Sequence, residues 1–134
     1  MTSIAQNLQA VQHAIAQAAL TVERAPQKIK LLAVSKTFPE AVIREAYEAG
    51  QHLFGENYVQ EALPKIEALS DLSIQWHFIG PLQSNKTRAI ANNFSWVHSV
   101  DNLKIVERLS AQRPDSLPPL NVCIQINTSG EQSK

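Results

Sequence analysis

The chain has 134 residues, enough for one domain with a real core and too few for two, so a single domain over 1–134 is expected. Twelve Lys and Arg balance twelve Asp and Glu, and the positive charges are scattered, which removes the usual electrostatic footprint of a nucleic-acid or membrane-surface partner. Cys123, the only cysteine, can close no intrachain disulfide or thiolate zinc site, and no apolar run approaches the ~20 residues of a membrane span, so a reducing cytoplasm is the expected compartment.

The N-terminus lacks the basic region and apolar block of an export signal. Instead, residues 3 to 24 carry Ile4, Leu8, Val11, Ile15, Ala18, Ala19 and Val22, spaced chiefly by three or four, as an amphipathic helix requires, and Pro26 stops it. LLAVS at 31 to 35 reads as a first strand. It leads into Thr37-Phe-Pro-Glu40, a capping-box pattern for a helix that continues through Val42, Ile43, Ala46 and Tyr47 and ends at Gly50. The unit then recurs. Strands are expected around His52 to Phe54, Ile74 to Ile79, Trp96 to Val100 and Leu120 to Asn127, with helices over Tyr58 to Leu69, Ser84 to Asn93 and Asn102 to Gln112.

Strand alternating with helix at this even spacing predicts an α/β protein with right-handed crossovers and a parallel sheet, either doubly wound or a closed (β/α) barrel. No Gly-rich phosphate loop follows the first strand, and the polar residues gather at the C-terminal ends of several strands, which favours the barrel. Only five strands are found where a (β/α)8 barrel needs eight, so the chain reads as the N-terminal part of such a barrel, truncated after the fifth strand.

Three clusters carry the chemistry. In LLAVSK the pleat sets Leu32, Val34 and Lys36 on one face, so an amine projects from the end of a buried strand. Burial there would favour the neutral amine, which can condense with an aldehyde as Schiff-base lysines do. Position alone describes first a lysine that leaves the strand end for solvent, as long side chains readily do. In Phe54-Gly-Glu-Asn-Tyr58, Leu53, Gly55 and Asn57 share a side; Asn57 then points into the same mouth or caps the helix that follows, while Glu56 and Glu61 read as a solvated helix start. In Trp76-His-Phe-Ile-Gly-Pro-Leu-Gln-Ser-Asn-Lys86, His77 shares a face with Gln75 and Ile79, as a hydrogen-bond partner inside the barrel or a structural histidine. Gln83, Ser84 and Asn85 stand at a helix start, suited to an anion or to capping, and Lys86 and Arg88 read as surface charges. In the last strand Val122, Ile124 and Ile126 form the side expected to face helices, and Asn121, Cys123, Gln125 and Asn127 the side expected to line the interior.

AVSKTFP at 33 to 39, FGENYVQE at 54 to 61, WHFIGPLQSNK at 76 to 86, VHSVD at 97 to 101 and IQINTSGEQSK at 124 to 134 together closely resemble the pyridoxal 5′-phosphate (PLP) homeostasis protein family, over essentially the whole chain. The resemblance implies the alanine racemase N-terminal-domain fold, a (β/α)8 barrel, with PLP held as a Schiff base on the lysine that ends the first barrel strand, here Lys36. Asn57 and His77 are the further residues expected to bind the cofactor. It implies a role in intracellular PLP homeostasis, with PLP-dependent apoenzymes as partners and no established turnover. Family members continue for roughly another hundred residues, which by resemblance supply the Gly- and Ser-rich turns and the arginine that hold the PLP phosphate, in keeping with the late phosphate sites of barrels.

The competing expectation is a PLP-dependent amino-acid racemase. That chemistry needs two opposed acid–base groups, and beyond Lys36 only His77 and Tyr58 offer themselves, each with a simpler structural reading. Metal, nucleic acid and membrane are not expected. The full-length form is expected to be a monomer, whereas a five-stranded piece with unpaired edges is expected to self-associate or to belong to a longer chain.

Overall fold

A computed structural model describes residues 3–132 of the chain. Its first helix, α1 (Ile4–Thr21), begins with a true capping box: Ser3 Oγ accepts from the Gln6 amide, and Gln6 returns the bond to the Ser3 amide. It ends earlier than Pro26 requires. Glu23 takes φ 56°, and the Glu23 and Arg24 amides donate back to Leu20 and Ala19 carbonyls, so a Schellman turn closes the helix before the proline is reached.

Five βα units follow in part or whole: β1 (Ala33–Val34), α2 (Glu40–Glu48), β2 (Leu53–Glu56), α3 (Val59–Ala68), β3 (Gln75–Phe78), α4 (Thr87–Asn93), β4 (Trp96–Val100), α5 (Leu103–Gln112) and β5 (Asn121–Ile124). The strands are all parallel and lie in the order β1-β2-β3-β4-β5. Each strand neighbours its successor, and crossovers of one hand then put every helix on the same face. A doubly wound sheet would reverse its strand order; this one does not.

The helix-facing side holds the core. Phe54, Trp76, Phe78, Val97 and Val100 alternate out of the strands and meet Ile43, Ala62, Ile90, Ala91, Ile105 and Leu109, all nearly inaccessible. Phe94, just beyond α4, packs edge-on against Phe78 at 5.4 Å. Each large side chain of this set contributes about 1.5–3 kcal/mol of burial.

Local corrections have local causes. Thr37 caps nothing: α2 begins after Pro39 with no side-chain cap, and Thr37 lies in the left-handed region at φ 68°. Gly50, at φ 104°, terminates α2 as its position predicts. Asn57 does not cap α3, whose N-cap is Tyr58 without a side-chain bond. The expected helix at 84–93 opens instead as a 3-10 turn, Ser84–Lys86, before α4. Asn102 caps α5 by accepting from the Ile105 amide. The apolar side of β5 does not meet helices: Ile124 and Ile126 are about three-quarters exposed, at 76% and 74%.

Candidate functional site

The site follows from the register of β1, β2 and β3. Ala33 pairs with Phe54 and Val34 with Gly55, and the ladder is carried one step further by the Ser35 amide donating to the Gly55 carbonyl at 2.9 Å. Beyond Ser35 the chain leaves the ladder, and Lys36 enters a turn at the C-terminal end of the sheet. Gly55 pairs with His77. His77 therefore stands two residues below the level of Asn57, about 6.6 Å of strand rise. Lys36 stands in the turn after β1 and Asn57 just after β2, at the same end of the sheet, while His77 lies within β3.

Lys36 is exposed, contrary to the burial expected at a barrel mouth. The reason is its strand: β1 is an edge, with no neighbour beyond it among the described residues. Asn57 has the opposite character. Its Oδ1 is buried and finds no hydrogen-bond partner among the described residues. A buried acceptor without a donor costs about 1–3 kcal/mol, a cost that a ligand donor or a water removes. An amine at one strand end and a free acceptor at the next suit a flat aldehyde that carries a ring hydroxyl. Gly80 makes the close packing of this corner feasible, because a Cβ there would sit 2.3 Å from the Asn57 carbonyl oxygen.

His77 belongs to a different group. Its Nε2 lies 3.0 Å from Gln75 Oε1 and its Nδ1 lies 2.9 Å from His98 Nε2. Gln75 Oε1 only accepts, so His77 Nε2 carries the proton and His98 Nε2–H donates to His77 Nδ1. The His77 ring stacks on Trp96 at 5.6 Å and 2°. Burial, reinforced by the neighbouring His98, pushes the His77 imidazole down to about 4, and burial also lowers His98. Both rings are neutral at pH 7. They line a cavity of about 650 Å³ on the helix-free face of the sheet, together with Leu32, Gln75, Trp96 and Cys123. The interior orientation expected for Cys123 is thus realised.

The residues that the pattern misjudged are Glu56 and, with it, Lys65. Glu56 is not a solvated helix residue: it ends β2, points to the helix side and is 0% exposed. Its carboxylate accepts from Lys65 Nζ at 3.0 and 3.1 Å and from the Ser35 hydroxyl. Lys65 also reaches the Ser35 carbonyl at 3.0 Å and Glu61 at 3.0 Å. Glu61 in turn accepts from the Thr37 amide, and Lys65 and that amide hold its carboxyl below the usual range. Pleat parity could have found the pair, since Phe54 and Glu56 share a face, and Lys65 falls on the stripe with Val59 and Ala62. Two opposite charges at core positions imply each other.

Comparison with known proteins places this geometry in context. The family model for the alanine racemase N-terminal domain matches residues 6–133. The pyridoxal phosphate homeostasis protein of Pseudomonas aeruginosa is 60% identical over 134 residues, and that of Escherichia coli 55% over 137; each match covers 100% of this chain and 58% of the relative. The chain thus spans less than two-thirds of the length of these relatives. The structure of PipY from Synechococcus elongatus without PLP superposes with a TM-score of 0.76 at 41% identity, covering 90% of this chain and 56% of that one. PipY with PLP bound gives 0.63 at 49% identity, covering 73% and 47%. Sequence match and parallel βα order agree, and the chain belongs to the alanine racemase N-terminal domain family.

Proposed function

We propose that this chain is the lysine-bearing part of a cytoplasmic PLP-binding protein that holds PLP as a Schiff base on Lys36 and serves PLP homeostasis without turnover, handing the cofactor to PLP-dependent apoenzymes. The observation that carries the reading is the place of Lys36 just past the C-terminal end of β1, at the same end of the sheet as Asn57, whose buried Oδ1 lacks a donor among the described residues. The names of the relatives and the PLP-bound PipY structure support the choice of cofactor. When bound, PLP would supply an aldehyde, the carbonyl group with which a neutral lysine amine can condense with loss of one water.

The remaining roles belong to the chain. Lys36 offers its amine just past the C-terminal end of β1. Asn57 would offer its buried Oδ1 as an acceptor to a donor on the ligand. His77, neutral and tied to Gln75 and His98, supports the floor one pleat below. The phosphate is held by residues that, by family resemblance, follow this segment in longer relatives, and the segment acts as one partial barrel domain. A racemase role has less support, because both His77 nitrogens are committed to neighbours among the described residues.

Absorption spectra during PLP titration, followed by borohydride reduction and peptide mapping, test the assignment. The adduct is expected on the peptide containing Lys36 and lost in Lys36→Ala; an adduct that survives this substitution unchanged refutes it. Solvent deuterium entering the α-carbon of amino acids in a Lys36-dependent way would favour the racemase instead.

A further inference from the structure

Lys36 sits at the second position of a β-turn closed by the Phe38 amide donating to the Ser35 carbonyl at 3.1 Å. The third position is Thr37 at φ 68°, where a turn of this shape calls for glycine and a β-branched residue is disfavoured. Such a conformation persists only where surrounding groups over-determine it. Here the surrounding groups are two side chains of α3. The carbonyl before Lys36, on Ser35, accepts from Lys65 Nζ at 3.0 Å; the amide after it, on Thr37, donates to Glu61 Oε1 at 2.5 Å. Glu61 and Lys65 are one helical turn apart and ion-paired at 3.0 Å, and Lys65 is anchored from the core by Glu56.

We propose that Glu61 and Lys65 are positioning residues for Lys36: by clamping the peptide groups on both sides of it, they set the direction in which its amine leaves the strand end. Ordinary hydrogen-bond satisfaction does not account for the arrangement. Thr37 is exposed, so water could serve its amide, and a carboxylate is not needed there for solvation. The clamp controls orientation, because rotating either peptide plane swings the Cα–Cβ bond of Lys36 and displaces an amine carried at the end of a long side chain. Reaction of that amine with a separately held aldehyde depends steeply on such placement. The purpose of the clamp rests on the reading of Lys36 as the PLP lysine; the clamp itself does not.

The test uses Glu61→Leu, which removes the acceptor, and Glu61→Gln, which keeps an acceptor oxygen. Glu61 is partly exposed, at 32% of its side chain, so both variants are expected to fold. Amide residual dipolar couplings of Lys36 and Thr37 in an aligning medium report the turn, with those of Phe54 and Trp76 as controls. The rate at which PLP is fixed to Lys36 by borohydride reports the amine. In Glu61→Leu the Lys36 and Thr37 couplings change, the controls do not, and labelling of Lys36 slows about tenfold; Glu61→Gln recovers most of both. Unchanged couplings in Glu61→Leu overturn the proposal, as do changed couplings with an unchanged labelling rate. If the unsubstituted chain forms no adduct at Lys36, the PLP assignment fails, and the couplings alone then decide whether the clamp exists.

Discussion

Replacing Lys65 by Met removes the ammonium that meets Glu56, which is 0% exposed, and strands that carboxylate among core side chains with only the Ser35 hydroxyl left to it. Breaking a buried pair from one side costs about 3–5 kcal/mol, because the remaining charge has lost both water and partner. With a urea slope of about 2 kcal/mol/M for a chain of this size, the unfolding midpoint falls by about 1.5–2.5 M. Glu56→Gln should cost less, since Lys65 keeps the Ser35 carbonyl and Glu61. The double variant Glu56→Gln/Lys65→Met leaves no unpaired charge and should lie within about 1–2 kcal/mol of the parent, so the two single losses do not add. Tryptophan fluorescence suits the assay, because Trp76 and Trp96 both lie in the sheet. A Lys65→Met loss below about 1 kcal/mol, the range of solvated surface pairs, or strictly additive losses would refute the buried-pair reasoning.

Three further outcomes are expected. Gly80→Ala drives a methyl group into the Asn57 backbone at 2.3 Å and should cost about 3 kcal/mol, whereas Gly55→Ala meets the flexible tip of Ile79 at 3.1 Å and should cost under about 1.5 kcal/mol; urea unfolding compares them. His77 has its folded value depressed to about 4 from 6.5, so the unfolded chain binds the extra proton first. Stability from this group is therefore full above pH 6.5 and lost as pH falls toward 4, on the order of 2–3 kcal/mol, and His77→Gln should flatten that part of the stability–pH curve. Finally, among the described residues β1 and β5 are the unpaired edges of the sheet and Ile124 is 76% exposed, so light scattering of this chain should show association that Ile124→Lys weakens; a monodisperse monomer at high concentration would count against it.

Much of the architecture is legible in the sequence because it rests on short-range pattern. Trp96 to Val100 is a strand with the bounds its composition predicts, and Gly50 and Asn102 end and begin helices through their own local chemistry. Even spacing of strands also suffices for parallel βα order, since the handedness of each crossover is a property of the connection. Motif identity brings the family and Lys36. What the sequence leaves open is whatever depends on a neighbour distant along the chain. Glu56 reads as a polar residue at a helix start until Lys65, nine residues on, is seen to meet it inside the core. Thr37 reads as a cap until Glu61, twenty-four residues away, is seen to hold its amide in a conformation its own side chain opposes. Lys36 is the clearest case: its position follows from a strand and a motif, while its exposure and the clamp on both its peptide groups arise from sheet order and helix docking, because burial and orientation are set by what packs alongside rather than by what is adjacent in the chain.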